Sequence, residues 1–317
     1  MTVRLATCRE LSEDKEAISQ LAHNYWELEK SATPFALLFP WFPCPAKRAK
    51  REATQKLYDM LLKYVDLRRK ATERTTDAID VLISGGDSDD VIISFVLNVI
   101  FAGVINTGMN VCWNLLYLGM NPQWKEKVHA EVQALLTHHT DALFGQPLHQ
   151  RFASISMTAW EDEMPVMDSV IRETLRVVAT GTLLRRNLGK DVVIEGSKIS
   201  RGEFLAFSSA DVHHNPEIYP EPLSFDPGRY DEGRAEDKKV PLGYVGWGAG
   251  RHPCAGMRVA KLEMKLVLAL IFAGYEFEIV DAAGKVPSVL PRPDKNDIQQ
   301  ARPLGDPCFF KFRRVVE

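Results

Sequence analysis

From Val91 to Trp124 the chain carries no charged side chain, and this stretch narrows the choice of fold more than any other. An apolar segment of that length has two homes, a lipid bilayer or the middle of a protein core. Asn98, Asn106, Asn110 and Asn114 decide between them, because spacings of eight, four and four place all four amides on one stripe of a helix. Amides turned to lipid would be left without water to bond. The stretch is therefore read as a long helix inside a folded domain, its polar stripe lining a cavity, with the acidic GGDSDD just before it.

The rest of the chain agrees with a globular fold. With 45% apolar residues, 317 residues can bury a sizeable core as one large domain or two smaller ones. A formal net charge of -3 gives none of the whole-chain basic field of a nucleic-acid binder, so no nucleic-acid partner is expected. Cys8, Cys44, Cys112, Cys254 and Cys308 lie far apart with no C-x-x-C pair, which points to a reducing compartment or a cytosol-facing domain. The first residues, MTVRLATCRELSEDKEAISQ, have charges throughout and are not a secretory signal.

Ser12 to Lys30 has the spacing of an amphipathic helix, with Ile18, Leu21, Ala22, Trp26 and Leu28 among acids and lysines. The segment TPFALLFPWFPCPAKR interrupts it with four prolines and a dense aromatic cluster. Two readings stand for that segment: it folds onto the core, or it is a membrane-dipping or substrate-entry loop. LYDMLLKYVDLRRK reads as a packed surface helix, and NPQWKEKVHAEVQALL as a helix opened by its Asn-Pro. No spacing of His138, His139, His213 and His214 with acids or cysteines matches a zinc site, so all four are expected to face solvent. Gly196 and Gly202 punctuate short strands in DVVIEGSKISRGEFLAFSS. No internal repeat is present.

The chemistry concentrates in GWGAGRHPCAGMRVAKLEM, from Gly246 to Met264. Gly248, Gly250 and Gly256 bracket Cys254, and glycine serves where backbone bends sharply or meets a ligand closely. Arg251 and His252 place positive or proton-donating groups beside the thiol, an environment that favours thiolate, the form that ligates metals. The plain alternative is a buried cysteine packing as a small hydrophobe. Behind the loop runs a helix ending at Gly274, then a strand.

This loop resembles the heme-binding segment of the cytochromes P450, usually F-x-x-G-x-x-x-C-x-G. Trp247 stands at the aromatic position, Gly250 at the glycine, Cys254 at the ligand, and Gly256 closes it. Pro253, just before the cysteine, removes a backbone donor and is read as a tuning change. FAGVINTGMN resembles the family's distal helix, A/G-G-x-D/E-T-T/S. Ala102 and Gly103 match, while Ile105 stands where an acid is usual and Asn106 where threonine is usual, followed by Thr107. An asparagine there resembles the branch holding bile-acid-type sterol hydroxylases and prostacyclin synthase. Glu173 and Arg176, three apart in WEDEMPVMDSVIRETLRVV, and Arg229 in FDPGRY resemble the Glu-Arg-Arg triad, whose inferred role is to hold the cysteine loop; Gly228 replaces the motif's glutamate.

The resemblance implies a mainly α fold with a small β region, residues 1–317 forming a single cytochrome P450 domain. It covers roughly the C-terminal two thirds of the family, so an N-terminally truncated, fungal-type microsomal member is expected, its anchor and early helices absent. It further implies heme with Cys254 as axial thiolate, with Gly248, Gly250, Arg251, His252 and Arg185 around the cofactor and Arg186 as substitute for Arg185. Ala179 to Leu184 would line the substrate pocket, as would a turn of the PRPDKNDIQQARPLGDPCFFKF tail. Asn106 and Thr107 are the candidate catalytic pair. The implied reaction is oxidation of a lipophilic small molecule, a sterol, terpenoid or other secondary metabolite, with O2 and electrons from NADPH-cytochrome P450 reductase, at the cytosolic face of the endoplasmic reticulum. Two alternatives stay open: a reductase-independent heme-thiolate isomerase or dehydratase, and a truncated non-catalytic fragment.

Overall fold

Apolar residues at helical spacing shape most of the chain in the computed structural model, which describes residues 2–31, 33–39, 41–179, 181–289, 291–294 and 301–315. It is mainly helical, with four two-stranded antiparallel sheets among the described residues. The chain divides into two compact units, Met1–Val104 and Ile105–Glu317.

In the first unit, helix Lys15–Lys30 packs on helix Pro45–Lys70. Asp14 caps the former, its carboxylate accepting from the backbone N–H of Glu16 and Ala17, both at 3.0 Å. Its buried seam is Ala17, Leu21 and Tyr25, whereas Trp26 lies open. Across from it stand Ala53, Leu57, Met60, Leu61 and Val65. Arg68, also buried, donates to Asp80 at 3.2 Å and to Glu10 at 2.8 Å, so its charge is matched as burial demands. The proline-rich segment folds partly into a short helix, Pro34–Leu38. Phe35, Phe39, Trp41 and Phe42 stack on one another at 5.1 to 5.7 Å and stay exposed, Trp41 at 73%. Ala32 and Pro40 lie outside the described residues.

The uncharged stretch forms helix Asp89–Met120 and stops before Trp124, because Asn121 and Pro122 start a new helix, Pro122–Thr140. Trp124 is buried in that second helix. Burial of the long helix is one-sided: Ile92, Ile93, Val96 and Ile100 are covered while Val91, Phe95, Phe101 and Val104 are open. By length and composition alone it could cross a membrane, and 22% of its most apolar window is buried in protein. Fuller burial comes toward its end, at Trp113, Asn114, Tyr117 and Leu118.

In the second unit that end joins helices Pro122–Thr140, Pro165–Val178 and Met257–Gly274 in one apolar core. The sheets flank this core. Thr182–Arg186 pairs with Phe204–Ser208, and Tyr275–Val280 with Phe309–Arg314. Val192–Ile194 and Ser197–Ile199 form a hairpin whose turn, Glu195 (φ 48) and Gly196 (φ 79), has both central residues left-handed, as tight hairpins require.

Gly119 marks the closest approach of the long helix to the Tyr275–Val280 strand. A Cβ there would meet Ile279 Cγ1 at 2.3 Å. Gly119→Ala is expected to lower stability by about 1–3 kcal/mol through overpacking. Urea unfolding checks this: Gly108→Ala, with nothing within 4 Å of its added Cβ, should cost nothing comparable.

Candidate functional site

The Cys254 loop is a backbone structure first. Gly248 (φ +75) and Gly250 (φ +85) take left-handed turns that side chains with a Cβ resist. These turns fold the chain back so that the Cys254 N–H donates to the Trp247 carbonyl at 2.7 Å. Three residues beyond Cys254 helix Met257–Gly274 begins, and the Met257 N–H donates to the Cys254 carbonyl at 3.3 Å. The positive end of that helix therefore lies on the side of the cysteine. Cys254 is exposed, which sets aside the reading of a buried structural cysteine.

Two contacts fix the start of the loop. The Tyr219 hydroxyl donates to the Gly243 carbonyl at 2.8 Å, and a Cβ on Gly243 would meet the Asp237 carbonyl at 2.6 Å, so no larger residue fits there. Two residues on, the Val245 N–H donates to His213 Nε2 at 3.0 Å. His213 is fully buried, which corrects the expectation that the histidines face solvent: it packs against Tyr244 at 5.3 Å and accepts a backbone proton. Of the other three, His138 is open, while His139 and His214 are half-buried.

Glu173, Arg176 and Arg229 come together behind this loop, all buried. Arg176 forks onto Glu173 through Nε and Nη2, both at 2.8 Å, and Arg229 Nε donates to the same carboxylate at 3.1 Å. Arg176 Nη1 also donates to the His213 carbonyl at 2.5 Å and the Pro222 carbonyl at 2.7 Å. A continuous path of hydrogen bonds thus runs from Glu173 through Arg176 and His213 to Val245.

Two members of the network escaped sequence reasoning. The Tyr230 hydroxyl donates to Glu173 Oε2 at 2.9 Å, and Glu236 Oε2 accepts from Arg229 Nη1 at 2.8 Å. Gly228, in place of the motif's glutamate, leaves room that Asp226 and Arg234 enter: a Cβ would meet their side chains at 3.1 and 3.5 Å. The FDPGRY stretch could have suggested the tyrosine, but nothing in the sequence pairs Glu236 with Arg229.

On the long helix the amides bond backward. Asn98 Nδ2 donates to the Ser94 carbonyl at 2.8 Å, Asn110 to Asn106 at 2.9 Å and Asn114 to Asn110 at 2.7 Å. Asn114 Oδ1 accepts from Thr174 at 2.8 Å, while buried Asn110 Oδ1 has no donor among the described residues. Asn106 is exposed and Thr107 half-buried.

Arg185 leaves its sheet exposed and donates to the neighbouring Leu184 carbonyl at 2.8 Å, and Arg186 donates to the Gly202 carbonyl at 3.1 Å. Arg251 and His252 are exposed too. Among the described residues no carboxylate pairs with Arg185, Arg251 or His252. Leu184, Phe204 and Phe207 add open apolar surface on the Arg185 sheet, although Thr180 and residues 295–300 of the candidate pocket lining lie outside the described residues. An open thiol, two guanidinium groups and an imidazole without acid partners among the described residues, and exposed apolar side chains suit a flat, apolar, dianionic, sulfur-ligated group such as heme.

The comparisons agree on the family. The family model for Cytochrome P450 matches residues 3–297, so the chain belongs to the cytochrome P450 family. It is 31% identical to a cytochrome P450 monooxygenase, nsrP, of Aspergillus novofumigatus, over 89% of this chain and 56% of that protein. It is 29% identical to the cytochrome P450 monooxygenase AacuE of Aspergillus aculeatus, over 99% of this chain and 64% of that one. The chain thus spans less than two thirds of these relatives. Its fold is similar to that of retinoic acid bound cyanobacterial CYP120A1, with a TM-score of 0.76 and 19% identity, over 99% of this chain and 67% of the other.

Two outcomes test the bracing of the loop. Glu173→Gln leaves buried Arg176 without its carboxylate and Arg229 with Glu236 alone, and is expected to cost about 3–5 kcal/mol in chemical denaturation. Burial, with the nearby Arg176 and His214 charges, pushes the His213 pKa down from 6.5 to about 4. The proton is then bound more tightly in the unfolded chain, so His213 stabilises the fold above pH 6.5 and that contribution falls as pH drops toward 4. Relative to His213→Asn, the wild-type chain should lose about 3 kcal/mol of its advantage across that window, read from unfolding curves at each pH.

Proposed function

We propose that the chain carries the heme-thiolate site of a monooxygenase acting on lipophilic small molecules, with Cys254 as the residue whose sulfur would hold the heme iron. The observation that carries this reading is the open Cys254 thiol, in a loop held by left-handed glycines and tied through His213 to the buried Glu173–Arg176–Arg229 network. Bound heme would supply oxygen activation, with the thiolate pushing electron density toward O–O cleavage. Arg185, Arg251 and His252 would hold its carboxylates, while Gly248 and Gly250 let the backbone come close. Asn106 and Thr107 would stand nearest the reacting substrate, the Asn106 amide donating through Nδ2 or accepting through Oδ1.

The reaction would place one oxygen atom of O2 in the substrate and release the other as water, with two electrons from NADPH through its reductase. Similarity to two fungal cytochrome P450 monooxygenases supports this class. A sterol, terpenoid or other secondary metabolite is the proposed substrate class, and the family match across both compact units supports reading residues 1–317 as one P450 domain. The exposed Phe35–Phe42 cluster supports attachment to a membrane, proposed as the cytosolic face of the endoplasmic reticulum.

A second reading, a reductase-independent isomerase or dehydratase, is favoured by one observation: Ile105 and Asn106 stand where an acid and a threonine are usual, which leaves that turn no carboxylate and moves its hydroxyl to Thr107.

The chain reconstituted with heme should give, when reduced under carbon monoxide, the red-shifted Soret band of thiolate ligation, and Cys254→Ser should lose it. Absence of the band from wild type would overturn the assignment of Cys254. NADPH-dependent oxygen uptake then separates the two reactions. Asn106→Ala is expected to lower product formed per NADPH several-fold if the first holds, whereas substrate turnover without NADPH or O2 would establish the second.

A further inference from the structure

We propose that His138, His139 and Glu163 form a site for one divalent transition-metal ion of the zinc class, on the surface and separate from the Cys254 loop. The sequence hides it, because the carboxylate comes from a different helix. His138 and His139 occupy the last turn of Pro122–Thr140, and Glu163 caps the end of helix Met157–Asp162.

The donor atoms are already gathered. His139 Nε2 lies 2.8 Å and His138 Nδ1 3.5 Å from the same carboxylate oxygen, Glu163 Oε2. All three ligand atoms fall within 4.8 Å of one another, and the imidazole rings are 4.6 Å apart. Zinc bonds of about 2.0–2.1 Å at tetrahedral angles place neighbouring ligand atoms about 3.3 Å apart. The two measured separations bracket that value, so small side-chain rotations would admit an ion.

Both supporting elements are anchored: Arg151 Nε donates to Thr140 Oγ1, beside the histidines, at 3.0 Å. The Glu163 N–H donates to the Ala159 carbonyl at 3.0 Å, and Lys265, buried, ties the Trp160 carbonyl at 2.8 Å to Asp168 at 3.0 Å. Carbonyl groups at the C-terminal end of Pro122–Thr140 add negative potential where the cation would sit. Two imidazoles and one carboxylate select zinc, cobalt, nickel or copper over calcium or magnesium, which prefer oxygen. His138, the most open of the three, leaves the outer coordination position to water. The ion would staple the two helix ends together.

Zinc titration of the full chain against a chromogenic chelator tests the site. One Zn2+ per chain is expected, its affinity falling at least tenfold in His139→Ala and in Glu163→Gln, with excess Ca2+ unable to displace it. Cys254 is a second potential zinc ligand, so the titration is repeated in Cys254→Ser, where this site should be retained. His138→Ala alters an open side chain and provides a variant whose folding is not at stake. Absence of zinc binding, binding unchanged by the His139, Glu163 and His138 substitutions, or binding lost in Cys254→Ser alone would each overturn the proposal.

Discussion

A carboxylate with two guanidinium groups, all out of water, is the interaction on which the second unit depends. Isolated, each of these charges would be costly to bury; together Glu173, Arg176 and Arg229 satisfy one another and still have donors left over. Those donors reach the carbonyls of His213, Pro220, Glu221, Pro222 and Ser224. Irregular backbone that no helix or strand could organise is thereby given fixed acceptors to fold around.

Local chemistry made much of this architecture legible. The helix start at Asn121–Pro122 and the turn at Gly196 each follow from the backbone preference of one or two residues, whereas the Asp14 cap emerged only in the structure. The cysteine loop was legible for the same reason, since its glycines stand where the chain must turn left-handed. Glu173 and Arg176 share a helix face by spacing alone, and Arg229 was reached only through family resemblance.

What could not be read was long-range. His213 looked like any surface histidine because the Val245 N–H that it accepts lies on a different segment. Glu236 joined the network because a left-handed residue at Ala235 turned it inward, a conformation that alanine does not advertise. Glu163 met His139 through the packing of two helices, which no spacing rule records. The long helix erred in the other direction: its composition suggested full burial, yet fuller burial begins only near Asn110 and holds toward its end.

Successive pins on the chain leading to the cysteine have a consequence in chain entropy. Glu236 is held by Arg229, Gly243 by Tyr219, Val245 by His213, and Trp247 by the Cys254 N–H itself. Each pin divides a long wandering segment into short ones, and closing short loops one after another leaves little freedom to lose later. The sulfur is thus positioned by hydrogen bonds within the chain itself. Under the ligation proposed for Cys254, that ordering would belong to folding and would not weaken binding.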